Sequence, residues 1–485
     1  MTFLNESTWR GQIYQGGWTQ GANGDVAVIE PATGQEIGRI GCAGPSDVAA
    51  SAARAAAAQP AWAATPHTVR SAILRKAADL WLENAAEIED WVVRESGKIP
   101  PAAQFETHNS TGEIYEAATL PSRPYGELLP SEQPRLSYAE RRPVGVVGVI
   151  APFNFPQILS VRSVAPALAL GNAVILKPDL RTSICGGVVV ARIFEEAGLP
   201  EGLLHVLPGA AEAGSALTED PDVAMIAFTG STAVGRQVGA AAGRTLKRCS
   251  LELGGNNALI VLDDADLDVA SSAGAWGAFL HQGQVCMTAG RHIVMEAVAQ
   301  EYLDRLAQRA ANLPVGDPHL EQVAIGPLIN ESQLANVDRI VTATVDAGAQ
   351  VRAGATHEKL FYAPTVLAGV TTEMAAFREE IFGPVAPVTI VRDEAEAVAV
   401  ANDTEYGLVA AIQTGSRDRG RALADQLRTG IVHVNDQTLN NDAYAPFGGT
   451  GASGNGSRFG SQSSWDEFTQ WQWLTVRDQA HGFPF

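Results

Sequence analysis

The stretch VGVVGVIAPFNFPQILSVRSVAPALALGNAVILKP, residues 144–178, decides the fold. It opens on an apolar run, VGVVGVIAP, and closes on another, AVILKP. Between them, SVAPALALGNA (163–173) reads as a helix ended by Gly171. Short apolar strands on either side of a helix describe parallel strands covered on both faces.

The alternation continues downstream. TSICGGVVVARIFEEAGLP (182–200) reads as helix, LLHVLPG (203–209) as strand and AEAGSALTED (211–220) as helix. VAMIAFTGS (223–231) is a strand and TAVGRQVGAAAGR (232–244) a helix. A second α/β region follows from about 253 to 446, with strands NALIVL, RHIVM and IVHVND and the helix AVAQEYLDRLAQRAANL. Upstream, the first forty residues are turn-rich. PSDVAASAARAAAAQPAW (45–62) then starts a helix capped by Ser46 or Asp47. Residues 67–98 have helical spacing, as one long helix or two consecutive ones. TLPSRPYGELLPSEQPRLSYAERR (119–142) reads as a projecting hairpin or arm. The alternating tail SSWDEFTQWQWLTVRD (463–478) reads as an edge strand that needs a partner.

Totals bound what the chain does. At 485 residues it exceeds a single core, which predicts two or three domains. The formal charge of -20 is spread along the chain and opposes nucleic acid and anionic membrane as partners. No apolar stretch reaches the ~18 residues of a membrane span. The N-terminus MTFLNESTWRGQ lacks a signal-peptide pattern, so a cytoplasmic protein is expected. The four cysteines form no CxxC pair, and no histidine pair has zinc spacing, so neither disulfides nor a metal site is expected.

Three loops carry residue types suited to one chemistry. In HQGQVCMTAGR (281–291), Cys286 is flanked by small and polar residues that suit a loop. The other three cysteines, Cys42, Cys185 and Cys249, read as small buried hydrophobes. A catalytic thiol needs a base, and Glu252 in SLELGGNN ends an apolar strand beside two glycines, placed to face a cleft. It also needs an oxyanion donor, and Asn154 in APFNFPQ offers a neutral amide. FTGSTAVG turns from strand into helix, where Gly230, Ser231 and Gly235 let a phosphate approach a helix N-terminus. Lys177 ends a neighbouring strand, where ligands of open parallel sheets bind. Together these residues describe oxidation of an aldehyde through a thioester.

The ordered stretches PFNFP, LKP, FTGSTAVG, LELGGNN, GQVC, EEIFGPV and PFGGTGASG resemble the aldehyde dehydrogenase superfamily over essentially the whole chain. That resemblance implies Cys286 as nucleophile, Glu252 as base for deacylation, and Asn154 with the Cys286 N–H at the oxyanion. It implies a dinucleotide site of Pro152, Phe153, Lys177, Gly209, Gly230, Ser231, Gly235, Glu380 and Phe382. It implies a cofactor-binding domain over 1–118 and 143–252, a catalytic domain over 253–446, and an oligomerisation arm over 119–142 and 447–485. The assembly expected is a homodimer or homotetramer.

Two positions depart from the family pattern. Leu180 stands where NAD-preferring members carry a ribose-binding glutamate, with Arg181 next, so NADP is expected to be accepted alongside NAD. Phe153 stands where tryptophan is common, which removes one indole N–H. PSRPYGELLPSE, YAERRPVGVVGVIAPFNFP and GASGNGSRFG resemble aromatic aldehyde dehydrogenases of the benzaldehyde and vanillin type. An aromatic substrate implies apolar walls, with Phe155, Ile158, Met287, Tyr444 and Phe447 as candidates. Arg162 is expected to contact a ring substituent or to form a structural salt bridge. Alternatives are an aliphatic semialdehyde dehydrogenase that uses Arg162 to hold a substrate carboxylate, a thiol hydrolase relying on His281, and a non-catalytic role.

Overall fold

A computed structural model describes residues 2–485. The expected strand–helix alternation builds a seven-stranded sheet. Its order is Arg248–Glu252, Met225–Thr229, Val146–Ile150, Ala173–Lys177, Leu204–Val206, Gln12–Tyr14 and Trp18–Gln20. The first five strands are parallel, and the N-terminal hairpin adds antiparallel at the far edge. Val146–Ile150 is buried at every position, as its unbroken apolar run requires. The chain leaves this strand toward Ala173–Lys177 on one side and later returns to Met225–Thr229 on the other. A crevice therefore opens at the strands' carboxyl ends where the strand order reverses.

A second seven-stranded sheet is parallel except for its edge strand Gln350–Ala353. A third, antiparallel sheet joins Thr469–Val476, Leu136–Pro143 and Gly126–Leu128. The hairpin and the tail strand thus partner each other within the chain. Residues 447–460, placed in the arm by the sequence, instead lie beside the first sheet, with Gly454 bridging Glu252 and Phe447 bridging Phe459. Among the described residues, no helix is long and apolar enough to cross a membrane.

Several boundaries differ for identifiable reasons. The helix expected from Ser163 begins at Pro156. Proline suits the first helical position, and the buried Glu106 carboxylate accepts from Gln157 N–H at 2.8 Å. The 45–63 helix is capped at Gly44, where Asp47 accepts from the Gly44 N–H at 2.9 Å; neither Ser46 nor Asp47 is the cap. Residues 67–98 form two helices, His67–Glu83 and Ala85–Ser96, the second closed by left-handed Gly97. The segment 182–200 starts with a five-residue π-helical stretch, Ile184–Val188, before Val189–Ala197. Buried Glu95 accepts from the Ile184 and Cys185 N–H groups there, at 2.8 and 2.7 Å. The tail begins as helix Ser461–Glu467, and only then becomes strand. Cys42 and Cys185 are buried as expected, whereas Cys249, on the sheet-edge strand, is partly exposed.

Candidate active site

The crevice at the strand reversal holds a cavity of about 470 Å³. Its lining comes from the residues that follow the carboxyl ends of three parallel strands. Pro152, Phe153 and Asn154 follow the first strand, Lys177 ends the second, and Gly230 and Ser231 follow the third. Ser231 caps the helix Thr232–Arg244, so free N–H groups at that helix start border the space. Glu380 and Phe382 close it from the second sheet's side, and Phe382, held at φ +54°, meets Phe153 edge to face at 5.9 Å. Lys177 makes only a long 3.4 Å contact with the Pro178 carbonyl, which leaves its ammonium available, and burial lowers its pKa. A concave site at this point, with a lysine and an open helix start, fits a dinucleotide.

Two expected cofactor residues do not border this space. Gly209 packs under Ala43 and Ala213, where a Cβ would come within 3.0 Å of the Ala43 carbonyl. Gly235 is a packing glycine, since a Cβ there would run into the Leu253 side chain at 2.3 Å. Leu180 does not border the cavity either. The side chains at that point are Asp179 and Arg181, joined through two hydrogen bonds of 2.8 and 2.7 Å. Arg181 also stacks over Phe153 at 4.1 Å. Burial raises Asp179, but the paired guanidinium outweighs it and holds the carboxyl below its ordinary value. The glutamate missing at 180 therefore does not leave the cavity without a carboxylate.

Cys286 sits where the first cavity meets a second one, of about 590 Å³. Asn154, Leu159 and Cys286 border both. The cysteine follows an unusual turn, in which His281, Gln282 and Gly283 all have positive φ. The turn is anchored by Gln282, which donates to the Gly97 carbonyl at 2.8 Å, and Gln284, which accepts from Ile329 N–H at 3.0 Å. Asn257 holds the cysteine loop from the other side, donating to the Cys286 and Thr288 carbonyls at 2.8 Å each. Gly255 must lack a side chain here, because a Cβ would lie 2.6 Å from the Cys286 carbonyl. Asn154 Nδ2 donates to the Gln284 carbonyl at 2.9 Å, which ties the amide to the cysteine loop.

Glu252 departs from expectation. It is 3 % exposed and borders neither cavity. Its carboxylate fills the space above Gly448, where a Cβ would stand 2.7 Å from Oε1. Among the described residues neither of its oxygens has a hydrogen-bond partner of good geometry, and the Gly449 N–H gives only a weak pull. Burial therefore pushes its pKa well up, against the pull of Arg162 and Arg458. Burial also raises the Cys286 thiol to about 12, helped by the charges of Glu380 and Glu252 and opposed by Arg162. Burial lifts Glu380 to about 7, although Gly255 N–H donates to it at 2.8 Å. His281 is buried, and burial and Lys98 hold it well below its ordinary value; its ring lies against Phe155, 5.5 Å away. It does not border the second cavity, so it is no base for the thiol.

The second cavity is predominantly apolar. Phe155, Ile158, Met287 and Phe447 border it as expected, with Trp276 and Phe105 added. Tyr444 does not: it is 70 % exposed and lies outside the lining. Its loop, residues 435–446, has little regular structure, so its residue types did not disclose that exposure. Arg162 borders the cavity and also forms the buried salt bridge, with Nε 3.4 Å from Glu113. Residues missed from sequence include Asn257, Asp179, Glu113 and Asn441. Asn257 lay in the GGNN stretch and was visible there; nothing local singled out the other three.

The aldehyde dehydrogenase family model matches residues 18–474. Vanillin dehydrogenase of Amycolatopsis sp. is 59 % identical over 486 residues, covering all of both chains. Benzaldehyde dehydrogenase [NAD(+)] of Pseudomonas putida is 50 % identical over 478 residues, 98 % of each chain. The crystal structure of a salicylaldehyde dehydrogenase from Pseudomonas putida G7, complexed with salicylaldehyde, superposes with a TM-score of 0.95 at 32 % identity. It covers 98 % of this chain and 100 % of that one.

Proposed function

The chain belongs to the aldehyde dehydrogenase family, and from that premise we propose that it oxidises aromatic aldehydes of the benzaldehyde and vanillin type to carboxylic acids, using NAD or NADP. The observation that carries this reading is the meeting of two cavities at Asn154 and Cys286. One is apolar and sized for an aromatic ring; the other lies where parallel strands end beside a helix start. The relatives named for vanillin, benzaldehyde and salicylaldehyde support the substrate class.

In this reading the Cys286 thiol gives up its proton to solvent, its sulfur adds to the aldehyde carbon, and the carbonyl oxygen becomes an oxyanion. Asn154 Nδ2 has a second N–H beyond the one given to Gln284, and it donates to that oxyanion. Lys177, Ser231, Glu380 and Phe382 would hold and orient a nicotinamide dinucleotide, which would supply the acceptor for the hydride on the same carbon. Loss of that hydride leaves a thioester on Cys286. Glu252 then takes a proton from the water that attacks the thioester carbon. The carbon–sulfur bond breaks, the acid leaves, and the sulfur regains its thiol by taking the proton held by Glu252.

The region spanning 1–118 and 143–252 serves as the cofactor-binding domain and 253–446 as the catalytic domain. The three-stranded sheet serves as the arm of a homodimer or homotetramer in the cytoplasm. The test is initial-rate NAD(P)H formation with benzaldehyde, vanillin and succinic semialdehyde, for the native protein and Cys286→Ala. Turnover of the aromatic aldehydes, lost in the variant, is the expected result. Turnover of the semialdehyde alone would overturn the substrate class, and activity without Cys286 would overturn the chemistry.

A further inference from the structure

Arg162 lies on the helix Pro156–Ala169 and is 5 % exposed. Among the described residues it is the one cationic side chain bordering the apolar cavity. A lone guanidinium there would draw in aldehydes that carry a carboxylate, as a semialdehyde does. Its charge is already taken. Nε donates to Glu113 Oε1 at 3.4 Å, and an amino group donates to Asn441 Oδ1. Asn441 Nδ2 reaches the same Glu113 oxygen at 3.5 Å, so guanidinium, amide and carboxylate form one cluster. The flat face of Arg162 is covered by Phe447, 4.2 Å from its ring centre. Glu113 is buried and borders no part of the cavity, so it stands behind the arginine. Asp436, which does border the cavity, adds a negative charge to its wall.

We infer that Glu113 determines specificity: by occupying Arg162 from behind, it turns the cavity against carboxylate-bearing aldehydes and leaves it to neutral aromatic ones. The inference rests on the aromatic reading of the same cavity. A carboxylate entering beside Arg162 meets a cation already balanced by Glu113 and one further anion, Asp436. Selection thus comes from a repulsive element as much as from apolar contact. Removing the Glu113 charge while keeping its shape leaves Arg162 as an unneutralised cation facing the substrate.

The experiment compares kcat/KM for benzaldehyde, para-carboxybenzaldehyde and succinic semialdehyde in the full-length protein. Glu113→Gln is expected to raise the ratio of each carboxylated substrate to benzaldehyde by about tenfold or more, mainly through KM, equivalent to about 1.4 kcal/mol. Adding Arg162→Met to that variant is expected to erase the gain. That double variant is expected to keep the native ratio, because it removes cation and anion together, even though it slows turnover of all substrates alike. An unchanged ratio in folded Glu113→Gln, or equal losses on all substrates, overturns the inference. So does a fall of about tenfold in the ratio in the double variant, since the arginine would then already hold carboxylates in the native protein. That last comparison decides the matter even where Glu113→Gln fails to fold. Benzaldehyde against hexanal in the native protein tests the aromatic reading separately, because neither carries a charge.

Discussion

Cys286 combines the position of a nucleophile with a thiol held near 12 by burial and two carboxylates. At neutral pH almost all of it is protonated, and the thiolate fraction rises about tenfold per pH unit below that value. Alkylation of Cys286 by iodoacetamide, followed by mass spectrometry of its peptide, is therefore expected to climb steeply from about pH 7 to about pH 10. A rate that levels off below about pH 9 would contradict the burial argument. Glu252 acts in the same direction: burial raises its pKa well above the ordinary carboxylate value and so favours the protonated form, whereas a base must be deprotonated. The Cys286 thiol predicts that kcat/KM increases as pH rises through the neutral range, with no acid optimum. Asn154→Ala removes the oxyanion donor, and kcat should fall by about 10²–10³ with KM little changed. A change confined to KM would move Asn154 from the reacting oxygen to substrate binding.

At the level of single elements, the turn His281–Gly283 is what aims the cysteine. Gly283 has φ +65°, and a Cβ there would stand 2.1 Å from the Gly383 carbonyl, a backbone atom with nowhere to retreat. Gly283→Ala combines that clash with a left-handed penalty of about 1–2 kcal/mol, so turnover should collapse. Retained turnover would mean that the loop tolerates a shifted cysteine. The Ile184–Val188 turn depends in a comparable way on Glu95, whose carboxyl burial raises to about 7. Glu95→Ala leaves two buried N–H groups without partners, at about 1–3 kcal/mol each, and should lower the melting temperature. An unchanged melting curve would mean that water or a backbone shift satisfies them. The elements also show how far local pattern reaches. The strand Val146–Ile150 and the helix Thr232–Arg244 fall where their apolar runs and turn residues put them. The helix after Asn154 begins seven residues before the expected Ser163, because its first N–H, that of Gln157, is served by Glu106 from another helix.

Over the whole molecule, the antiparallel sheet stands out. Leu128 is 80 % exposed, Trp473 63 % and Trp471 51 %, all on the sheet formed by the hairpin and the tail. Apolar side chains so exposed on one element are expected to meet a second copy of the chain. Light scattering on the full-length protein should give a dimer or tetramer, and Trp473→Glu should shift it toward smaller species. A monomer at micromolar concentration would remove this role from the sheet.

The sequence by itself determined the two α/β regions and pointed to Cys286, Asn154 and Lys177, which border the cavities. Strand and helix periods are local, and each of these residues sits on a loop or strand end that its own short stretch marks. The tertiary structure alone decided which side chains face the cavities and which charges neutralise one another. Arg162 and Glu113 are 49 positions apart, and Arg162 and Asn441 are 279 apart, on elements brought together only by packing. Glu252 ends a strand as expected, yet the absence of a side chain at Gly448 decides that its carboxylate turns inward. Asp179 came to border the cofactor cavity, and Tyr444 did not border the substrate cavity. Short-range preference encodes the elements; burial and charge pairing between distant residues are set only when those elements pack.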